Sequence, residues 1–331
     1  MKRREFITFL GGAAAASLLH PLAARAQQPD HMRRIGVLAG LAENDPELAG
    51  RLAGFRQGLE KFGWFEGGNV RIDYRFAPGG TQARVLAREL VSLQPDVILG
   101  QSTPAVAALQ LETRTIPIVF AGVADPIGSG FVTSLARPGG NLTGTLLYEE
   151  GITGKWLAML REIAPRLERA AFVANPKTTS FDYFLRSAKA LAPSLAIEIV
   201  PSPVENAADI ERSIKSFARE PNGGLVLPPD ITTVIHRDLI IALAARHHLP
   251  AVYTLRVFVA AGGLMFYGTD FVELFRQAAS YVDRILRGAK PADLPMQTPT
   301  RYETVVNLKT AKTLGIDVPS SLLVRADEVM E

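Results

Sequence analysis

Three polar positions in this chain stand where a strand should end, and each can hold a charged or hydrogen-bonding ligand. Asp125 closes residues 116–124, an apolar, β-branched run of the kind buried on both faces of a sheet, and Pro126 stiffens the turn behind it. Asp230 follows a second such run at 224–227, inside Pro228-Pro229-Asp230-Ile231-Thr232-Thr233. Open α/β sheets bind ligands outside the carboxyl ends of their strands, so a carboxylate there can hold a cationic group. It can equally well only cap a turn or helix, and the residues by themselves leave both roles open. The third position is Ser102-Thr103-Pro104, after the strand expected at 96–100. Its hydroxyls and proline suit a helix start, where free amides and the positive end of the helix receive an anion such as a carboxylate; simple capping uses the same residues.

Catalytic sets are missing. Cysteine is absent, which removes thiol chemistry, disulfides, Cys-ligated metals and the acylated cysteine of a lipoprotein. Past the first 26 residues the histidines are His31, His236, His247 and His248, with no third ligand at metal spacing. No Gly-x-Ser-x-Gly elbow, phosphate loop or dinucleotide fingerprint is present. An exported hydrolase is the remote alternative. We therefore expect no enzyme, metal or cofactor.

The elements that must carry the polar positions alternate regularly. A strand at 35–40 leads through a loop at 41–46 into a helix at 47–62, whose Leu48, Leu52, Phe55, Leu59 and Phe62 share one face. A strand at 69–76, a helix at 81–93, the strand at 96–100 and a helix through 111 follow. After Pro138-Gly139-Gly140-Asn141 comes an extended stretch at 142–148, which crosses to a second series. There the expected strands are 170–174, 196–200, 224–227 and 250–254, with a loop at 228–233 followed by a helix through His247. Residues 262–268 sit between glycines with an aromatic pair, and we read them as a hinge-side segment lining a cleft rather than as an internal strand. An amphipathic helix at 270–286, a connector at 291–299, a last strand at 302–307 and a helix near 308–314 close the chain. Two βαβ series with short loops predict an α/β protein of two doubly wound, parallel-sheet lobes, their C-terminal loops facing across a cleft.

The chain has 331 residues, enough for two cores. Its first 26 residues read as a signal peptide of twin-arginine type: Lys2-Arg3-Arg4, an apolar segment at 6–19, and Ala24-Arg25-Ala26 for cleavage. Removing them takes away four basic residues and one acid and leaves 32 of each sign, so the precursor's pI of about 9.1 partly belongs to the leader. No basic face for nucleic acid is indicated. A regulator with this core would need a helix-turn-helix where the leader stands. The folded part is expected in the periplasm as a monomer.

Several motifs together resemble a known family. Ala124-Asp125-Pro126, Arg137-Pro138-Gly139-Gly140-Asn141-Leu142-Thr143-Gly144, Gly262-Gly263-Leu264-Met265 with Tyr267-Gly268, residues 281–288, Asn307-Leu308-Lys309-Thr310-Ala311-Lys312 and Arg325-Ala326-Asp327-Glu328-Val329 are similar to ABC-transporter substrate-binding proteins of the tryptophan-binding type. The resemblance covers nearly all of the mature chain. It implies a periplasmic-binding fold of the first type with a three-crossing hinge, lobes at 33–147 plus about 268–298 and at 148–267 plus about 299–331, closure on a ligand, and an inner-membrane ABC permease as partner. Characterised members bind aromatic amino acids.

By position, the resemblance implies a cleft formed by Leu41, Gln101, Ser102, Thr103, Ala124 and Asp125 from the first lobe. Asn175, Thr178, Asp230 and Tyr253 come from the second, with Tyr148, Phe266 and Tyr267 near the hinge. Phe266 stands where the family usually has serine, which implies a smaller or more apolar pocket there. Asp283 and Arg284 lie in a strong motif on a helix and are expected to form a surface or interlobe ion pair. The set suits a zwitterion: the helix start takes the carboxylate, Asp125 and Asp230 the ammonium, and the aromatics the side chain. A ligand sensor that shows its closed form to a receptor instead of a permease would use the same residues.

Overall fold

The computed structural model describes residues 32–149, 151–299 and 301–331; the proposed leader lies outside them. The first series forms β1 (Arg33–Ala39), α1 (Pro46–Lys61), β2 (Val70–Phe76), α2 (Ala83–Ser92), β3 (Val97–Gln101), α3 (Thr103–Glu112), β4 (Ile118–Val123) and β5 (Leu142–Leu146). All five strands are parallel, in the order β2-β1-β3-β4-β5. Every residue of β3 and β5 is buried, as expected for strands covered on both faces.

The chain then crosses to α4 (Ile152–Ile163), β6 (Arg169–Ala174), α5 (Phe181–Leu191), β7 (Glu198–Pro203), α6 (Ala207–Phe217) and β8 (Gly223–Leu227). Next come α7 (Ile231–Ile235), α8 (Arg237–Arg246), β9 (Ala251–Tyr253), α9 (Arg256–Ala260) and β10 (Met265–Gly268). After α10 (Phe271–Leu286) the chain returns to β11 (Glu303–Asn307), α11 (Leu308–Leu314), α12 (Ser320–Arg325) and β12 (Glu328–Met330). This second sheet runs β12-β11-β10-β9-β8-β6-β7, with β11 antiparallel to β10 and the other neighbours parallel.

Residues 262–268 are not a cleft-lining hinge segment. Residues 265–268 are β10, an internal strand between β9 and β11. Met265 and Phe266 point to opposite faces of the sheet and are both fully buried, so apolar packing on two sides won over the flanking glycines. The loop expected at 228–233 already starts a helix at Ile231, and the helical stretch through His247 is two helices broken at His236. The β-branched run Ile231-Thr232-Thr233-Val234-Ile235 forms only a short first helix, in keeping with its weak helix propensity.

Three crossings join the sheets, near 147–149, 269–270 and 294–299, and they hold one another. The Thr269 hydroxyl donates to the Leu147 carbonyl (3.2 Å), Thr143 Oγ1 to the Leu294 carbonyl (2.8 Å), and the Leu146 amide to the Gln297 carbonyl (2.9 Å).

The helix after the second crossing, α10, lies against α1 of the first series. Gly54 and Gly58 make this approach possible: a Cβ on Gly54 would stand 2.7 Å from Val272 Cγ1 and from the Val272 carbonyl oxygen, and one on Gly58 2.7 Å from Ala279 Cβ. Asp283 pins the far end, accepting from Trp64 Nε1 (2.9 Å) and Arg287 Nε (2.6 Å). Its ion-pair partner is thus Arg287 one turn on, not Arg284. Arg51 lies on the same face of α1 as Gly54 and Gly58, because residues three and seven apart share a helix face. The glycine seam therefore seats the start of α10 on Arg51.

Candidate ligand site

Strand-end loops of both sheets meet around one cavity. From the first series it is walled by Leu41 after β1, Gln101, Ser102 and Thr103 at the β3–α3 junction, and Gly122 and Ala124 at the end of β4. The second series contributes Thr178, Thr179, Pro229, Asp230, Ile231 and Val234, with Leu255 beyond β9. Arg51, Leu147 and Phe271 complete the wall. The empty space, mouth included, is about 480 Å3, yet only about 40 Å3 of it accepts the centre of a water molecule, so the walls are close together.

The first-series wall carries polar atoms without partners. Ser102 stands at the cap position of α3, but its hydroxyl makes no capping bond; it is buried without a hydrogen-bond partner among the described residues. Its backbone is left-handed (φ 84°), a strained state for a residue with a Cβ. Gly40 yields space for it, since a Cβ on Gly40 would fall 2.4 Å from Ser102 Oγ. The neighbouring Gln101 is fixed instead, its Oε1 accepting from the Gly40 amide (2.8 Å).

Arg51 is 3% exposed, and its Nε has no partner among the described residues. The guanidinium lies 4.1 Å from the centre of the Phe271 ring and 3.5 Å from Glu47 Oε2. Burial pulls its pKa below the usual guanidinium value, while Glu47 and Asp45 push it back up. A buried guanidinium with one half-exposed carboxylate partner keeps donor capacity for a further anion.

The second-series wall is satisfied within itself. Asp230 Oδ2 accepts from the Asn175 amide (3.1 Å) and the Thr233 amide (3.1 Å), while Oδ1 accepts from the Thr232 amide (3.3 Å) and the Thr178 hydroxyl. Asn175 Nδ2 donates to Thr232 Oγ1 (3.0 Å), and Thr179 Oγ1 to the Pro229 carbonyl (2.6 Å). Burial pushes the Asp230 carboxyl above its usual range; the Thr178 hydroxyl and the three amides act against that.

Of the residues singled out in the sequence, Leu41, Gln101, Ser102, Thr103, Ala124, Thr178 and Asp230 come together around the cavity. The others stand elsewhere. Asp125 closes a turn, accepting from the Gly128 amide (2.7 Å). Asn175 braces Asp230 from behind. Tyr253 is buried and stacked on Phe258 (4.7 Å between centroids), and Phe266 is fully buried in the core, so its place in the family pattern does not narrow the pocket. Tyr148 donates to the Thr254 carbonyl (2.9 Å) and meets Trp156 edge-on (5.3 Å), while Tyr267 stacks on Tyr302 (5.6 Å). These aromatics brace the first two crossings and the second core. The aromatic wall of the cavity is Phe271.

Arg51 and Phe271 join the wall without being singled out by the sequence. Position 51 falls between Leu48, Leu52 and Phe55 on the apolar face of α1, and a charge placed there was the available signal. Phe271 reads simply as the first inner residue of α10; nothing local marks it as facing a cavity.

Among known proteins, the chain is 27% identical over 272 residues to a tyrosine-binding protein of Clostridioides difficile (strain R20291), covering 82% of this chain and 78% of that one. An ABC domain from Streptococcus pneumonia in complex with L-Trp superposes with a TM-score of 0.84 at 24% identity, over 90% of this chain and 99% of the other. A conserved domain protein from Vibrio cholerae gives the same TM-score, 0.84, at 29% identity and the same coverage. The match to the model of the ABC transporter substrate binding proteins runs over residues 35–330, and the chain belongs to that family.

Proposed function

We propose that the chain is the exported solute-binding component of an ABC importer, and that it captures a small carboxylate-bearing ligand with an apolar or aromatic body. The observation that carries this reading is the cavity shared by strand-end loops of both sheets, with the unpartnered polar atoms of Arg51 and Ser102 on one wall. The tyrosine and tryptophan named for its relatives support the same ligand size and an amino acid as a first candidate.

The mechanism is capture by closure. Residues 33–147 with about 268–298 move as one lobe and 148–267 with about 299–331 as the other, turning about the three crossings. A ligand that touches Ser102 and Thr178 at once does so only when the lobes are together, and it shifts the population toward that state by the difference in its contact free energy. A permease then reads the closed form. Export follows from the twin-arginine leader, with the mature chain beginning at Gln27 and lacking a lipid anchor.

The test is a thermal-shift screen of the mature chain against aromatic and branched acids and their amino acids. A ligand at about 100 times its Kd adds roughly 2.7 kcal/mol to the folded state. A shift with one chemical series, together with a smaller radius of gyration in solution scattering, is the expected result. No shift across the panel and an unchanged radius would defeat the reading.

A further inference from the structure

We infer that the cavity recognises its ligand through a carboxylate alone, held by Arg51 and Ser102, and that it takes an apolar or aromatic carboxylic acid in preference to the matching amino acid. This rests on the capture function proposed above and narrows its ligand class.

An α-amino acid needs two opposite sites, and only one is on offer. For the anion, Arg51 Nε is buried without a partner, and Ser102 Oγ is buried without a partner on the same cavity wall. The start of α3 at Thr103, which has no side-chain cap, adds the positive end of a ten-residue helix. A carboxylate entering here meets the Arg51 and Ser102 donors, which no other group among the described residues satisfies.

For the cation the reverse holds. Asp230 is the one carboxylate on the cavity wall among the described residues, and its two oxygens already accept from four donors, three of them backbone amides. A carboxylate has about four lone-pair sites, so an ammonium group could enter only by displacing a donor from the α7 cap. Asp125, the other candidate, lies outside the wall and is held by the Gly128 amide. Glu47 is 34% exposed at its side chain and is turned to Arg51. An ammonium group in this cavity would therefore lose its water next to a buried guanidinium, without a free carboxylate to replace it. The remaining wall, Leu41, Leu147, Ile231, Val234, Leu255 and Phe271, suits the hydrocarbon part of the acid.

Calorimetry on the mature chain with matched probes decides the matter: indole-3-propionate against L-tryptophan, 3-(4-hydroxyphenyl)propionate against L-tyrosine, and 3-phenylpropionate against L-phenylalanine, each with the primary amide of the acid. The expected result is that at least one acid binds about tenfold or more tighter than its amino acid, and that its amide does not bind measurably. Arg51→Lys should weaken that acid about a hundredfold, since a point charge cannot reproduce the planar fork. The comparison among ligands needs only the wild type, so it stands even if the variant folds poorly. An amino acid that binds as tightly as its acid, or an amide that matches it, overturns this inference and leaves the capture function intact. Failure of every acid and every amino acid to bind overturns the capture function itself.

Discussion

The two walls of the cavity are built from the same kind of loop, at the carboxyl ends of parallel strands, yet they are in opposite states. On the first-series wall Arg51 and Ser102 keep polar atoms that are buried and unused. On the second-series wall Asp230, Thr178 and Thr179 use theirs on one another, on Asn175 behind the wall and on the backbone. A buried polar group costs free energy until something pairs with it, so the first wall stores a deficit that a ligand can relieve. The second wall has no such deficit, because its polar groups already hold one another. The difference teaches that a carboxylate at a strand end marks a site only if its lone pairs are free.

That contrast can be broken from either side, and the largest effect should come from the satisfied wall. Asp230→Ala leaves the Asn175, Thr232 and Thr233 amides and the Thr178 hydroxyl without their acceptor, which should cost about 3 kcal/mol or more. Chemical denaturation should show this loss, and thermal unfolding a Tm lower by roughly 5 °C. A stability within about 0.5 kcal/mol of wild type would show that the second wall is not the structural one.

Arg51→Met should do the opposite. It removes a buried, half-paired cation, and Glu47 is exposed enough to be solvated alone, so stability should stay within about 1 kcal/mol of wild type or rise. Binding of any carboxylate found in the thermal-shift screen should fall by about 3 kcal/mol, measured by calorimetry, because a charge-assisted bidentate contact is lost. Equal losses of stability and binding would erase the distinction between the walls.

Ser102 sharpens the same point on a smaller scale. Ser102→Gly should stabilise the protein by about 1 kcal/mol, since glycine accepts the left-handed backbone freely, and Ser102→Ala should leave that strain in place. Both should weaken carboxylate binding by about 1 kcal/mol through the lost hydroxyl. Paired unfolding and calorimetric titrations of the two variants separate the backbone effect from the ligand effect.

The smallest effect concerns pH. Asp230 has its folded pKa raised, chiefly by burial, so the folded state holds this proton more tightly than the unfolded chain. Its contribution therefore favours folding below the unfolded carboxylate pKa and is lost as pH rises through the folded value. The stability of wild type relative to Asp230→Asn should decline over that window by no more than about 1.4 kcal/mol per pH unit. A gap that instead widens with pH would mean that the four donors outweigh the burial of this carboxylate.

Much of the fold was legible along the chain because its causes are local. The apolar runs of β3 and β4, the amphipathic face of α1 and the turn residues between them settle which segments are strands and helices and that the βαβ units lie in parallel. The Asp125 turn belongs to this class too, since its acceptor and the Gly128 amide are three residues apart. The positions of the strand-end loops, and with them Gln101, Ser102, Thr103, Thr178 and Asp230 as residues near a cleft, follow from the same alternation and from the family motifs. Tertiary structure alone decided which of these groups is free. Two of the four partners that saturate Asp230 come from Asn175 and Thr178, across two helices and two strands. Arg51 gains its role only because Gly54 and Gly58 let α10, more than two hundred residues later in the chain, lay Phe271 on it. Whether a polar group is satisfied depends on everything within about 3 Å of it, and those neighbours are brought together by folding rather than by order along the chain.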